Sequence, residues 1–377
     1  MGYTKEDLDR RVQLGRELLS THVRPEIVPE ITDLRLSGPG RHLDIPFPAG
    51  LAPVPSTDPV TDPAKSLPKA DVVVVTYTSD EAKALADVMS PGRFSSDWNH
   101  YTHNCQEYLP EIRNGAPARQ AGRLGSYWKT KVGKLSVLVM KSELHMHQDE
   151  ELVKGKPSLP IRQFFTQIVN EAKPSHFFCI GTAGGTYTNR PLGTIVLSRA
   201  VKFMCERTFK DQPFASAEYR SNWTPPTKLH EQALGLMKAF TGNLVIDAGT
   251  SLADCPCKGL QGPAAPAATF LRDGHDGVPA FHPVLTTDFF EFGTDQNKLG
   301  EKGVAVEMDD AVFGLVCQDL GASAPLWASI RNYSDPTVNG SLPMTEQESC
   351  ASKIYTKYGY WTSVLGALAT WSVVAGL

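Results

Sequence analysis

The stretch "ADVVVVTYTSDEAKALADVM" (residues 70–89) decides the fold class. It opens with a continuous β-branched run and changes to helical periodicity at Ser79, which is typical of a buried strand that leads into a helix. Further strands are predicted at 135–142 and 176–181, with a helix at 159–172 between them. Strands that alternate with helices predict an α/β protein whose ligand lies at the carboxyl ends of the strands.

The segments outside this pattern are predicted to be extensions of one large domain. A helix is expected from Lys5 to Leu19, and a proline-rich irregular arm follows it, so the predicted boundary divides 1–69 from 70–377. Residues 251–283 are rich in Pro, Gly and Ala and show no period. They predict an inserted loop, which is either a lid or a plain surface excursion.

Bulk composition disfavours several classes of function. The 377 residues include 37 basic and 41 acidic side chains, a net charge of -4, so neither nucleic acid nor an anionic membrane is expected as a partner. The apolar C-terminal tract at 360–377 carries Thr and Ser and is predicted to be a helix packed on the sheet rather than a tail anchor. Seven scattered cysteines and an N-terminus unlike a signal peptide predict a cytoplasmic protein.

Two residue pairs suggest a metal site only weakly. Cys255 and Cys257 lack a second pair at zinc spacing, so they are expected to be free thiols or a local redox pair. His145 and His147 alternate at a predicted strand end but have no matched third ligand. We therefore expect neither a metal nor an organic cofactor.

Four segments in chain order resemble motifs of the purine nucleoside phosphorylase and nucleosidase superfamily. They are "VVVVTYTSDEAKAL" (72–85), "IGTAGGTYTNRPLGTIVLS" (180–198), "VEMDDAVFGLVCQDLG" (306–321) and "IRNYSDP" (330–336). The resemblance implies a three-layer α/β fold, with a central mixed and partly barrel-like sheet flanked by helices. It also implies a small purine nucleoside as ligand and a homodimer or higher homo-oligomer.

Cleavage of an N-glycosidic bond requires a group that protonates the leaving base and a group that activates the nucleophile. By resemblance, Asp335 is the acid, Ser334 orients it, and Arg331 is a nearby site residue. Glu81 matches the glutamate that activates water in the nucleosidase branch, although its neighbour Asp80 leaves a one-residue slip open. Taken alone, Asp335 also reads as a turn residue, and Glu81 as an exposed residue of a helix's first turn.

The resemblance also assigns the sugar and base contacts. Glu307, Met308 and Asp309 match the ribose-binding triplet, but Asp309 stands where glutamate is usual, and Asp310 is an alternative. A helix N-cap is the structural explanation for either aspartate. Phe290 matches the aromatic that stacks on the base. Phe289 is the near alternative, and ordinary core packing would explain either ring.

The glycine turn formed by Thr182, Ala183 and Gly184 lets backbone approach the ligand closely. This turn is preceded by Cys179 at the position where phosphorylases of the superfamily carry a phosphate-binding arginine. The sequence therefore favours a purine nucleoside hydrolase. Two alternatives stay open: a phosphorylase that uses Ser158 and Arg162, and a nucleoside-binding protein without turnover, to which Asp309 is the only pointer.

Overall fold

The computed structural model describes residues 3–21, 43, 45–58, 62–146, 150–226, 228–243, 269–291, 297–335 and 340–377. Within these ranges, thirteen strands form one mixed sheet and two more form a separate ribbon. The helices are α1 Lys5–Thr21, α2 Ser79–Met89, α3 Cys105–Tyr108, α4 Pro117–Ala121, α5 Pro160–Ala172, α6 Lys228–Asn243, α7 Asp310–Leu320 and α8 Met344–Ala375.

The strands follow the same chain order. They are β1 Val54–Pro55, β2 Val72–Thr76, β3 Asn99–Tyr101, β4 Gly125–Val132, β5 Leu135–Ser142, β6 Leu152–Val153, β7 Lys156–Pro157, β8 His176–Gly185, β9 Ile195–Ser198, β10 Ala200–Met204, β11 Glu218–Arg220, β12 Phe270–Arg272, β13 Val284–Thr287, β14 Ala305–Glu307 and β15 Leu326–Asp335. The ribbon is formed by β6 and β7.

Strand β2 shows why its sequence is apolar without interruption. Val72 and Val74 pack into a cluster with α2, α6 and α8, whereas Val73 and Val75 pack on the opposite side with α5 and α7. A strand covered by helices on both faces has no solvent-facing position to alternate with. The predicted mixed sheet between two helical layers is confirmed, and the β2–α2 unit lies where the sequence places it.

Strand β8 is the centre of the sheet at the site. It pairs in parallel with β2 along its first half and with β15 along most of its length. Its last two residues, Gly184 and Gly185, pair with β14 in antiparallel fashion. Strands β14 and β15 do not pair with each other. Each of them pairs with β8, which brings both of their polar ends to the same place.

Two short strands lie where irregular chain was expected. Strand β12, inside the predicted structureless insertion, pairs in parallel with β9, while residues 251–268 of that insertion lie outside the described residues. Strand β1, N-terminal to the predicted boundary at residue 69, pairs with β4. Short strands of this kind escape prediction because two or three residues cannot show a period.

The C-terminal apolar tract belongs to α8, which packs on the sheet. Its Trp371 is fully buried in the same cluster as Val72 and Val74. Among the described residues, no helix has the length and apolar character needed to cross a membrane.

The thiols of Cys105, Cys179, Cys205 and Cys317 are free, whereas Cys350 is disulfide-bonded.

Candidate active site

A cavity lies where the ends of β2, β5, β8, β13, β14 and β15 meet. It contains about 550 Å³ of empty space, open solvent at its mouth included. All eleven residues of the first-choice assignment line it, and so do seven others, whereas the alternatives Asp310, Phe289, Ser158 and Arg162 do not. The lining residues are Tyr77, Thr78, Glu81, His145, Thr182, Ala183, Gly184, Thr287, Phe290, Glu291, Val306, Glu307, Met308, Asp309, Arg331, Ser334, Asp335 and Tyr355.

Glu81 is a buried carboxylate in the first turn of α2, not an exposed one. One oxygen, Oε1, accepts hydrogen bonds from the backbone N–H of Thr182 at 2.7 Å and from its hydroxyl at 2.6 Å. The other, Oε2, accepts from the Thr76 hydroxyl at 2.8 Å and from the backbone N–H groups of Tyr77 and Thr78, each at 2.9 Å. Glu81 therefore closes the capping box of α2 and also joins α2 to β8.

These contacts keep Glu81 ionised. Burial alone would raise the pKa of the carboxyl, but the positive charge of Arg331 and the hydrogen bonds from Thr182 outweigh burial and lower it below its ordinary value. A carboxylate that stays charged in a buried cavity is in the protonation state that can accept a proton.

The pKa of Asp335 is shifted in the opposite direction. It is the last residue of β15, and a shift in the pairing of β15 with β8 falls between Tyr333 and Asp335. The Ser334 hydroxyl donates to Asp335 Oδ1 at 2.7 Å. Burial raises the pKa of the Asp335 carboxyl to about 6, although that hydrogen bond acts in the other direction and the charge of Glu291 adds to the increase. Asp335 can therefore carry a proton close to neutral pH.

Arg331 neutralises two of the acidic residues that end the β14 segment. Its guanidinium forms ion pairs with Glu307 Oε2 at 3.0 Å and with Asp310. Asp310 also accepts from the Ser329 hydroxyl. Asp310 does not line the cavity, so the proposal that it replaces Asp309 at the sugar is wrong: its carboxylate is used to hold Arg331.

Glu307 lines the cavity, but its carboxylate oxygens already accept hydrogen bonds from other residues of the chain. Its oxygens accept from the Thr286 hydroxyl, from the backbone N–H of Asp309 at 2.6 Å and from that of Asp310 at 3.0 Å, in addition to Arg331. Burial raises the pKa of Glu307, and the nearby charge of Asp310 adds to this effect. Glu307 therefore mainly stabilises the turn that follows β14.

Asp309 faces the end of β5. Its Oδ1 accepts from the backbone N–H of Met146 at 2.8 Å, and its Oδ2 lies 3.2 Å from His145 Nδ1. Asp309 occupies the N-cap position of α7, but its side chain makes no capping hydrogen bond to the helix. His145, which the sequence suggested only as a weak metal ligand, is therefore a residue of the cavity. His147 lies outside the described residues.

The structure places Phe289 and Phe290 in different environments. Phe290 lines the cavity, whereas Phe289 is fully buried with Leu8 and Val12 of α1. Phe289 therefore follows the core-packing explanation, and Phe290 is the one of the two that offers an aromatic surface to a ligand.

The glycine turn is close-packed against the acid. A Cβ added to Gly184 would lie 3.1 Å from Asp335 Oδ2 and 2.9 Å from Val306 Cγ1. One added to Gly181 would lie 2.7 Å from both Arg331 Nη1 and Glu81 Oε1. The absence of side chains here lets β8 pass between the charged groups, as the close-approach argument predicts.

The residues expected of a phosphate site lie elsewhere. The Ser158 hydroxyl donates to the Glu111 carbonyl at 2.7 Å, and Arg162 pairs with Asp319 at the surface. Neither residue lines the cavity. The structure therefore does not bring Ser158 and Arg162 to the cavity, and their contact with an anion stays a prediction.

Sequence reasoning missed six cavity residues, which are Tyr77, Thr78, Thr287, Glu291, Val306 and Tyr355. Tyr77 and Glu291 directly follow residues or strands already singled out, so adjacency was an available signal. Tyr355 reaches the cavity from the middle of α8, where its hydroxyl lies 3.2 Å from the Thr78 hydroxyl, and no local pattern marks it. The described residues contain no group of His, Cys, Asp and Glu able to hold a metal ion.

Comparison with known proteins adds a likeness at the level of solved structures. No protein-family model matches the chain, and no curated protein matches it either. Futalosine hydrolase of Helicobacter pylori is 12% identical with a TM-score of 0.45, covering 81% of this chain and 97% of that chain.

Two nucleosidase structures give similar values. A mutant of the H. pylori 5'-methylthioadenosine/S-adenosylhomocysteine nucleosidase, with 5'-methylthioadenosine in its active site, is 12% identical with a TM-score of 0.46, covering 82% of this chain and 99% of that chain. The apo 5'-methylthioadenosine nucleosidase of Arabidopsis thaliana is 15% identical with a TM-score of 0.44, covering 82% and 96%. These enzymes belong to the superfamily that the motifs resemble.

Proposed function

We propose that this protein hydrolyses the N-glycosidic bond of a purine nucleoside, releasing free base and free sugar. One observation carries the proposal: two buried carboxyl groups line a single cavity and have pKa values displaced in opposite directions. The pKa of Glu81 is lowered and that of Asp335 is raised to about 6. Environments that separate two carboxyl groups in this way assign one as base and the other as acid.

The proposed reaction moves one proton at each end of the bond. The oxygen of a water molecule attacks C1' of the sugar while the C1'–N9 bond breaks and its electron pair passes to the base. Asp335 gives its proton to N7 of the leaving base, and Glu81 takes a proton from the attacking water. The proton gained by Glu81 returns to Asp335 through solvent, which restores the starting state.

Glu81 needs room for the water. Four of its five donors are backbone N–H groups or the Thr76 hydroxyl behind it; the fifth is the Thr182 hydroxyl, which also lines the cavity. A hydroxyl rotates freely, whereas a backbone N–H group is fixed. We infer that the water takes the place of the Thr182 hydroxyl at Oε1, while the remaining bonds hold the carboxylate in position.

The other cavity residues are assigned to the substrate. Phe290 stacks on the base, and Met308 packs on the sugar ring, where a soft apolar surface tolerates developing charge. Asp309 is the better candidate for the sugar hydroxyls, since the oxygens of Glu307 already accept from four donors. The shorter side chain of Asp309 is compatible with its position close to His145 and Met146.

The charge of the cavity favours water over phosphate as the nucleophile. Among the described residues that line it, Arg331 is the one arginine or lysine, and it is paired with Glu307 and Asp310. Glu81, Asp309, Glu291 and Asp335 add further acidic groups. An anion entering this cavity would meet carboxylates without a free cationic partner, which disfavours phosphorolysis.

The experiment that tests the function is chromatography of a purine nucleoside panel, including 5'-methylthioadenosine, adenosine, inosine and guanosine. Each nucleoside is incubated with and without phosphate. We expect release of free base that does not depend on phosphate and that yields free sugar. A sugar 1-phosphate product would instead identify a phosphorylase, and binding without any release would identify a nucleoside-binding protein.

The raised pKa of Asp335 predicts the pH dependence of catalysis. The protonated carboxyl is the active form, so kcat/KM should fall by about tenfold per pH unit above pH ~6, once Asp335 ionises. Steady-state base release measured from pH 5 to 9 checks this expectation. A profile that stays flat from pH 6 to pH 9 would show that another group protonates the base.

A further inference from the structure

The N-terminal helix α1 lies against the cavity wall. Leu8 and Val12 pack around Phe289, and Leu14 packs with Phe290 and Ala351. This helix precedes the region that carries the family resemblance, so the resemblance assigns it no role. Its contacts nevertheless reach the chain segment that presents Phe290 and Glu291 to the cavity.

Two side chains make the polar part of this contact. The Tyr3 hydroxyl lies 2.9 Å and 2.8 Å from the two carboxylate oxygens of Glu291, to which it donates. Arg11 Nη1 donates to the Phe290 carbonyl at 3.2 Å and to Glu291 Oε1 at 3.3 Å. The Arg11 guanidinium also lies 4.1 Å from the centre of the Tyr3 ring. Both residues therefore converge on one dipeptide, Phe290–Glu291.

The Arg11–Glu291 pair is buried, with each side chain 1% exposed. Burying two opposite charges costs free energy unless they are paired with good geometry, and losing one partner leaves the other charge uncompensated. Glu291 cannot move into or out of the cavity without breaking its bonds to Tyr3 and Arg11. The position of this wall is consequently held by α1 together with Asn297, whose amide also donates to both oxygens of Glu291 at 3.2 Å.

We propose that α1 is a functional part of the site, with Tyr3 and Arg11 acting as positioning residues that hold Phe290 and Glu291 in the geometry that a bound base requires. The role in binding rests on the proposed function. The positioning itself does not, because it is defined by contacts within the chain. Helix α1 is thus expected to act mainly on substrate affinity, because the charge of Glu291 contributes less than burial does to the raised pKa of Asp335.

The helix offers a matched control. Arg10 also anchors α1, through two bonds of 2.6 Å and 2.7 Å to Glu348 at the start of α8, but neither residue lines the cavity. Arg10→Gln removes an anchor of the helix without touching Phe290 or Glu291. It therefore separates general docking of α1 from positioning of the cavity wall.

The test compares Tyr3→Phe, Arg11→Gln, Arg11→Lys and Arg10→Gln in the full chain. We expect KM for the released nucleoside to rise roughly tenfold in Arg11→Gln, and by less in Tyr3→Phe and Arg11→Lys, with kcat within about threefold of the parent. Arg10→Gln should match the parent. Tyr3→Phe removes one hydroxyl only, so it remains informative if Arg11→Gln does not fold.

Hydrogen exchange over residues 284–291 gives a readout that does not depend on activity. Exchange there should be faster in Tyr3→Phe and Arg11→Gln than in Arg10→Gln. If the parent releases no base, the proposed function fails while this difference still supports the positioning role. Equal exchange in all variants, or faster exchange with an unchanged KM in an active parent, would overturn the inference.

Discussion

Asp335→Asn should abolish most base release while leaving the fold intact. The amide keeps an oxygen for the Ser334 hydroxyl, which donates to Oδ1 at 2.7 Å, but it has no acidic proton to give to the base. General acid catalysis by a positioned side chain typically contributes 10²–10⁴-fold, so we expect kcat to fall by about 10³-fold. Steady-state chromatography of free base with saturating nucleoside measures this loss.

The same substitution should raise stability. The pKa of Asp335 is about 6 in the folded chain against an ordinary value of 3.8, so the unfolded chain loses its proton first. Stability therefore falls as pH rises from 3.8 to about 6 and stays lowered above it, by on the order of 2–3 kcal/mol. Asparagine removes that ionisation. Denaturant unfolding of both proteins at pH 7 should show the variant to be the more stable.

Ser334→Ala is the control for this prediction. It removes the hydroxyl that orients Asp335 but leaves the acid itself, so its loss of kcat should be much smaller than that of Asp335→Asn. A variant at position 335 that retains parental kcat would remove Asp335 from the mechanism, whatever its effect on stability.

Glu81→Gln has the second-largest expected effect, and it acts on both activity and stability. The amide cannot accept a proton from water, so we expect kcat to fall by about 10²–10³-fold. Its NH₂ group must also face N–H or O–H donors that now bond to Oε1 or Oε2. Because this NH₂ group would face other donors in a buried site, we expect the free energy of unfolding to fall by about 1–3 kcal/mol.

Asp80→Asn is the matched control, because it changes the neighbouring carboxyl in the same turn of α2. Asp80 does not line the cavity, so this variant should keep the parental kcat. Activity is compared well below the unfolding transition of each protein, so that lower stability is not mistaken for lost catalysis. If Asp80→Asn were the inactive variant and Glu81→Gln the active one, the base would be Asp80.

The sequence was sufficient to predict the architecture around the site. The continuous apolar run of β2 is a strong signal because both faces of that strand are covered, and its helix begins at Ser79 as expected. Strands β1 and β12 were not predicted, because they contain only two and three residues. Pairing of such short strands is decided by the neighbouring strand, not by their own pattern.

The site was predictable to the extent that its residues lie in contiguous motifs. Glu81, Asp309 and Asp335 each end or follow a strand, and strand ends meet in a sheet of this kind. The orientation of a carboxylate was not predictable: Asp310 turns away to hold Arg331, while Asp309 turns toward His145. Tyr3 and Arg11 could not be found, because a contact between distant parts of the chain leaves no local pattern.

The placement of β15 has a consequence for how the protein is made. This strand lies between β8 and β9, pairing with β8 in parallel and with β9 in antiparallel fashion. Both neighbours leave the ribosome well before it does, so the backbone edge of β8 that pairs with β15 has no partner until residues 326–335 are made. During synthesis β8 therefore keeps an unpaired, apolar edge, which is the kind of edge that aggregates. Chains that stall before residue 326 should depend on chaperones and have no complete site.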